Sequence, residues 1–203
     1  MGLISNGTTI FDNGSMASGF GGSLNFISKA TASASASIEF TSGIDSTYKE
    51  YVFYFLNMHY AEPSISVELE FQCSTNSGST YGVTATGTTF RSQHDEADTD
   101  TGLAYLDASG HSLAQSTGFI KLGQNTGDDN DKSLSGYLHL YNPSSTTFVK
   151  QFISRTQSTH YGDYSYDLHK AGYFNTTSSI DAIKFRMSVG NIESGEILLF
   201  GVN

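Results

Sequence analysis

SLSGYLHLY, residues 133–141, places Leu134, Gly136, Leu138 and Leu140 on one side of an extended chain and Ser135, Tyr137, His139 and Tyr141 on the other. Successive side chains of a strand point to opposite faces, so this period of two describes a strand with one face in an apolar core. A helix would scatter those leucines around its axis. The alternation returns in Val67, Leu69, Phe71 and Cys73, and in Ala32, Ala34, Ala36, Ile38 and Phe40 set against Ser33, Ser35, Ser37 and Glu39. Between these two lies EYVFYFLNM, residues 50–58, apolar on both sides, as a central strand covered by two layers should be.

Further strands are expected at Phe148 to Ser158, Ala171 to Phe174, Ile183 to Val189 and Ile197 to Val202, with shorter ones at Thr88 to Arg91, Leu103 to Leu106 and Gly118 to Leu122. Ser42-Gly43, Asn142-Pro143-Ser144, Gly190-Asn191 and Ser194-Gly195 supply turns between them. About eight principal strands without an amphipathic helix give an all-β fold, an antiparallel two-sheet jelly-roll-like sandwich. The first 30 residues are turn-rich, with Asn6-Gly7, Asp12-Asn13-Gly14 and Gly19 to Gly22. They are expected to form an N-terminal arm with short edge strands (1–30), followed by a single sandwich domain (31–203).

Of the 203 residues, 37% are hydrophobic, with 14 Phe and 12 Tyr but no Trp, which suffices for a sandwich core without covalent staples. Charged residues are only 15%, well below the roughly 25% of an average domain, so the surface is mainly uncharged and polar. The net charge of −10 leaves no excess of cations to displace counterions from phosphates, which argues against nucleic acid as a partner. Cys73 is the single cysteine, excluding an intrachain disulfide and a cysteine-rich zinc site. Its place in an apolar alternation marks it as a buried small hydrophobe. No stretch approaches the length of a membrane span, and Met1 to Ser5 lacks the basic and apolar regions of a signal peptide. The expectation is a chain made in a cytoplasm, without membrane insertion.

Catalytic chemistry would require an activated nucleophile, an acid and base pair or a metal centre. The sequence holds no GxSxG, HExxH, Walker loop or dinucleotide fingerprint, and its six histidines are dispersed, so no catalytic residue is nominated. A hydrolase acting on glycans would need two close carboxylates in a cleft. Two acidic segments supply the hard oxygen ligands that calcium takes. One has Glu96, Asp98 and Asp100 in alternation, followed by Gly102 and Asp107; the other runs from Asp128 to Asp131. The first fails as a helix-loop-helix calcium loop because its glycine falls one place late and no helices flank it. Each is read either as a cation site or as a solvated acidic loop. In HYGDYSYD, residues 160–167, three tyrosines fall within six positions of an expected loop. Tyr161, Tyr164 and Tyr166 offer flat rings for stacking on a sugar, and His160 and Asp163 offer hydrogen bonds to its hydroxyls. The same rings could instead pack between the sheets or against a neighbouring subunit.

Two runs, IEFTSGIDSTYKEYVFYFLNMH (38–59) and SIDAIKFRMSVGNIESGEILLFGV (179–202), resemble small virion proteins of marine tailed phages. In those proteins a Gly-rich N-terminus leads into an aromatic strand, and a final SGxIxLxGV strand closes the domain. The closing strand is also similar to the last strand of jelly-roll carbohydrate-binding domains. The resemblance carries no binding or catalytic residue across. It implies a structural protein of the particle exterior, on tail, fibre or head, localised to the virion. Its partners would be other virion proteins, further copies of itself in a homo-oligomer such as a trimer, and a host-surface glycan. The alternative is a jelly-roll carbohydrate-binding module.

Overall fold

The computed structural model describes residues 3–12, 15–16, 22–60, 67–108 and 110–203, and no helix occurs among them. Its strands are β1 (Leu3–Ser5), β2 (Thr8–Asp12), β3 (Ser15–Met16), β4 (Leu24–Thr31), β5 (Ile38–Phe40), β6 (Glu50–His59), β7 (Leu69–Ser74) and β8 (Ala85–Asp95). They continue with β9 (Thr101–Tyr105), β10 (Leu113–Ser116), β11 (Ile120–Lys121), β12 (Leu134–Tyr141), β13 (Lys150–Thr159), β14 (Tyr164–Phe174), β15 (Ala182–Met187) and β16 (Ser194–Val202). β1 to β3 pair with one another. The remaining strands form an antiparallel sandwich. A nine-stranded sheet runs β10-β8-β14-β13-β12-β6-β16-β4, with β9 also on β8, and a four-stranded sheet runs β11-β7-β15-β5. Successive strands alternate between sheets from β4 to β8 and again from β14 to β16, which is the winding of a jelly roll.

Between the sheets lies an aromatic core. Phe185 of β15 is fully buried and its ring meets those of Phe40, Phe53, Phe55 and Phe71, with centroids 6.2, 5.4, 5.3 and 6.2 Å away. β12 buries Leu134, Leu138 and Leu140, the inward set that alternation assigns. β6 buries Tyr51, Phe53 and Phe55 against the small sheet but, contrary to the expected cover on both faces, leaves Tyr54 half-buried and Leu56 exposed. Cys73 is buried. Gly172 is required by this packing: a Cβ there would lie 2.6 Å from the tip of Phe152 and 2.6 Å from the Thr86 carbonyl.

The large sheet extends beyond the small one, and the segment from Leu106 to Ser133 closes its inner face. Leu106 N–H donates to Thr89 O at 2.9 Å, Gly127 N–H to Thr159 O at 2.9 Å, and the Thr156 hydroxyl to Leu122 O. The inner face under this segment is polar: Thr89, Ser154, Thr156, Ser158 and Lys170 are all buried. The Lys170 ammonium donates to the Thr89 hydroxyl and to His111 O. Burial holds that ammonium near a pKa of about 7 and keeps the His111 imidazole near about 3.

Several sequence expectations require correction. Ala32 to Ser37 is not a strand; only Ile38–Phe40 is. Ala34 has φ 48°, and Ala32, Ala34 and Ser35 donate backbone hydrogen bonds to Gly195, Glu193 and Ile192 where the chain changes sheets. Alanine and serine differ too little in burial preference for their alternation to specify a face. The boundary expected at residue 30 falls inside β4, which pairs with β16 along the edge of the large sheet. The short strand expected at Thr88 to Arg91 is the eleven-residue β8, and β14 begins seven positions before Ala171. Both strands carry polar residues on both faces, so neither announces a core side. The turns at Asn13-Gly14 and Gly19 to Gly21 lie outside the described residues.

Candidate functional site

The outward rows of the large sheet are fixed by register. Tyr137 stands opposite Arg155, Arg155 opposite His169, His169 opposite Phe90, and Phe90 opposite Tyr105, giving one rung across five strands. The rung on one side is His139, Ile153, Ala171 and Thr88, followed by Gln151, Tyr173 and Thr86. The rung on the other side is Ser135, Gln157, Asp167 and Ser92, followed by Thr159, Ser165 and His94. Side chains of cross-strand partners lie side by side, so each rung is a continuous strip of surface.

These rungs border a row of adjoining open hollows. Its widest part, about 600 Å³, lies between Tyr105, Tyr141, Ile153 and Tyr173. It narrows past Phe90, Tyr137 and His169, continues over Gln157 and Asp167, and ends among His94, Asp95, Glu96 and Tyr164. The hollows follow one another across the face, neighbours having in common Ile153, then Tyr137 and Arg155, then Gln157 and Ser165. Along β13 the row spans Gln151 to Thr159, roughly 26 Å at the rise of a strand. One end is aromatic and the other acidic.

A fixed polar set occupies its middle. Arg155 donates through Nε and Nη2 to the two Asp167 oxygens, both at 2.9 Å. The bidentate fork sets the plane of the carboxylate. His169 Nε2 lies 3.1 Å from Asp167 Oδ2 and carries the proton of that bond, because a carboxylate only accepts. The His169 ring lies flat on Phe90, with centroids 4.8 Å apart and planes 4° apart. The Arg155 hydrogen bond, helped by His169, holds the Asp167 carboxyl below the usual carboxylate range. Towards β6, His139 pairs with Glu50.

The outer face of the small sheet differs. Lys184 pairs with Glu39 at 2.8 Å, Arg186 Nε with Glu70 at 2.7 Å and Lys121 with Glu68 at 3.3 Å. Arg186 also covers the Phe119 ring and Lys184 the Tyr81 ring. Its charges and rings are engaged with one another.

The residues singled out from HYGDYSYD come together, but mainly with each other. β14 begins at Tyr164, so the segment is a turn followed by a strand rather than a loop throughout. The His160 ring packs on Tyr161 at 4.1 Å and on Tyr166 at 4.4 Å, and Arg91 sits 4.2 Å over Tyr166. His160 and Tyr166 are buried, and burial lowers the His160 imidazole to about 4. Asp163, at φ 61°, accepts from Lys132 at 2.9 Å, and Lys132 also pairs with Asp129 at 2.7 Å and donates to Tyr161 O at 3.2 Å. Of the five, Tyr164 borders the acidic end of the row of hollows.

In the first acidic segment, Asp95 accepts from Thr99 and Asp100 N–H groups, Asp100 accepts from Gln93, and Asp98 lies 3.3 Å from His94. Glu96 stands at the end of the row of hollows. In the second, Lys132 engages Asp129, Asp131 is exposed and Asp128 is half-buried. Among the described residues, no three His, Cys, Asp or Glu side chains gather as a metal-holding group.

Sequence reasoning passed over Tyr105, Phe90, Arg155, Asp167 and His169. One signal was present: the solvent side of β12 carries Tyr137, His139 and Tyr141, bulky rings where water-facing strands usually carry small polar groups. Comparison with protein-family models, with curated proteins and with solved structures gives no match for this chain.

Proposed function

We propose that this domain is a non-catalytic binding module that holds a glycan chain along the open face of its nine-stranded sheet. The observation that carries the reading is the row of adjoining hollows in which the rings of Tyr105, Tyr137 and Tyr141 and the uncharged hydrogen-bonding groups of Ser135, Gln151 and Gln157 stand on neighbouring rungs around the Arg155–Asp167 pair. A sugar ring has an apolar C–H face and a rim of hydroxyls. Tyr105, Tyr137 and Tyr141 offer surfaces for the first, while Ser135, Gln151, Gln157 and Ser165 offer donors and acceptors for the second. The side-chain amides of Gln151 and Gln157 make no hydrogen bond to another described side chain. A row of hollows about 26 Å long suits an extended polymer better than a single small molecule. On a particle exterior, the setting that the sequence resemblance implies, such a module would serve host-surface adhesion.

A glycan array probed with the full chain tests this. Wild-type protein should bind at least one polysaccharide, and Tyr137→Ala combined with Tyr105→Ala should weaken binding about tenfold, the sum of two aromatic contacts. Tyr161→Ala, in the self-stacked cluster, should leave it unchanged. No glycan signal, together with a dimer or larger assembly in sedimentation that the Tyr137 and Tyr105 variant dissolves, would overturn the proposal in favour of assembly through this face.

A further inference from the structure

Resting on that reading, we infer that the glycan is uncharged, and that the Arg155–Asp167 pair at the middle of the row of hollows is what excludes acidic chains. Every basic side chain along the rungs already faces a carboxylate. Arg155 and His169 share Asp167, His139 has Glu50, and His94 has Asp98. Lys150 and Lys170 belong to neighbouring strands but are buried on the opposite side of the sheet. The far end adds Asp95 and Glu96, whose carboxylates have no basic partner among the described residues. The chain as a whole carries −10. A uronate or sulfate placed here would meet negative charge with no unpaired cation to receive it, and like charges brought together discriminate strongly against a partner.

The same pair suits a neutral sugar. Arg155 commits Nε and Nη2 to Asp167, leaving Nη1 as a donor, and Asp167 Oδ1, which accepts only from Nε, retains acceptor capacity, whereas Oδ2 already accepts from Arg155 Nη2 and His169 Nε2. The pair therefore offers both a donor and an acceptor to sugar hydroxyls, each of which both donates and accepts. Phe90, beneath His169, and Tyr137, next to Arg155, bracket this point with rings.

Affinity electrophoresis of the full chain tests the inference, using gels with neutral polysaccharides (xyloglucan, galactomannan, laminarin) and with acidic ones (alginate, polygalacturonate, carrageenan). Wild-type protein should be retarded by a neutral polymer, with retardation insensitive to added salt, and not by the acidic set. Asp167→Asn keeps the side-chain shape and releases the Arg155 charge. It should gain binding to acidic polymers by about tenfold or more at low ionic strength, and lose that gain in high salt. Arg155→Gln should weaken neutral binding without any gain on acidic gels, and it serves as the test if Asp167→Asn does not fold. Wild-type preference for acidic polymers would overturn this inference and leave the glycan proposal standing. So would a folded Asp167→Asn variant that still ignores them, or acidic binding gained by Arg155→Gln. Failure to bind either set would instead overturn the underlying proposal.

Discussion

The two halves of the large sheet have opposite interiors. Where β6, β12 and β16 face the small sheet, the inward side chains are phenylalanine, leucine and isoleucine, interlocked around Phe185. Where β8, β13 and β14 lie under the Leu106 to Ser133 segment, the inward side chains are mainly polar, with Thr89 and Thr156 hydrogen-bonded to that segment, while Tyr166 and Leu168 pack against Leu106. The hollows lie across the outside of this second half and of the adjoining β12. The difference separates cohesion from display. One half derives its stability from non-directional apolar burial, and the other uses directional bonds to hold its three strands in the register that lines up the outer rungs.

Four substitutions would break or sharpen this contrast. The largest effect is expected in the apolar half. Phe185→Ala removes the ring that touches four others and should cost about 3–5 kcal/mol, read as a lower urea midpoint with an unchanged slope. An equal loss from Thr156→Val, which removes the hydroxyl bonded to Leu122 O in the polar half, would erase the distinction.

The next effect has the opposite sign. Burial lowers the Lys170 ammonium from its ordinary 10.5 to about 7. Between those values the unfolded chain binds more protons than the folded one, so this residue makes stability rise with pH from about 7 to about 10.5, and its cost is full below 7. Lys170→Met should therefore stabilise the protein by about 1–3 kcal/mol at pH 6. Urea denaturation at pH 6 and at pH 10 checks this, with the gain shrinking at the higher pH. A loss of stability at pH 6 would show that the bonds to Thr89 and His111 outweigh the desolvation of the charge.

The smallest effect is on the outer face. Arg155 is largely exposed, so Asp167→Asn should change stability by less than about 1 kcal/mol while altering binding. The Asp167 carboxyl is held low in the folded state, so whatever it contributes is present above the ordinary carboxylate range and is lost as pH falls through the folded value. Thermal unfolding of wild type and variant should converge in acid.

Legibility followed the strength of the local contrast. β6, β7, β12, β15 and β16 carry Phe, Leu, Ile and Val in patterns that only a strand satisfies, and each appears within a few residues of where alternation puts it. β8 and β14 carry polar residues inside and out, so their eleven-residue lengths were invisible without the segment that covers them. The tyrosine-rich segment drew attention by composition, yet stacking on His160 and Arg91 occupies much of its ring surface, which only neighbouring strands could reveal. Arg155 and His169 drew none, because nothing local distinguishes a charged residue on an empty face from one that lines a hollow.

By itself the sequence determined an all-β sandwich with a leucine and phenylalanine core, because a period of two is a property of a single strand and needs no partner to be read. Tertiary structure decided the order of strands, the polar interior behind β14 and the row that sets Tyr137 beside Arg155, His169, Phe90 and Tyr105. Register is a relation between strands far apart in the chain, and a slip of one residue would turn every one of those side chains to the other face.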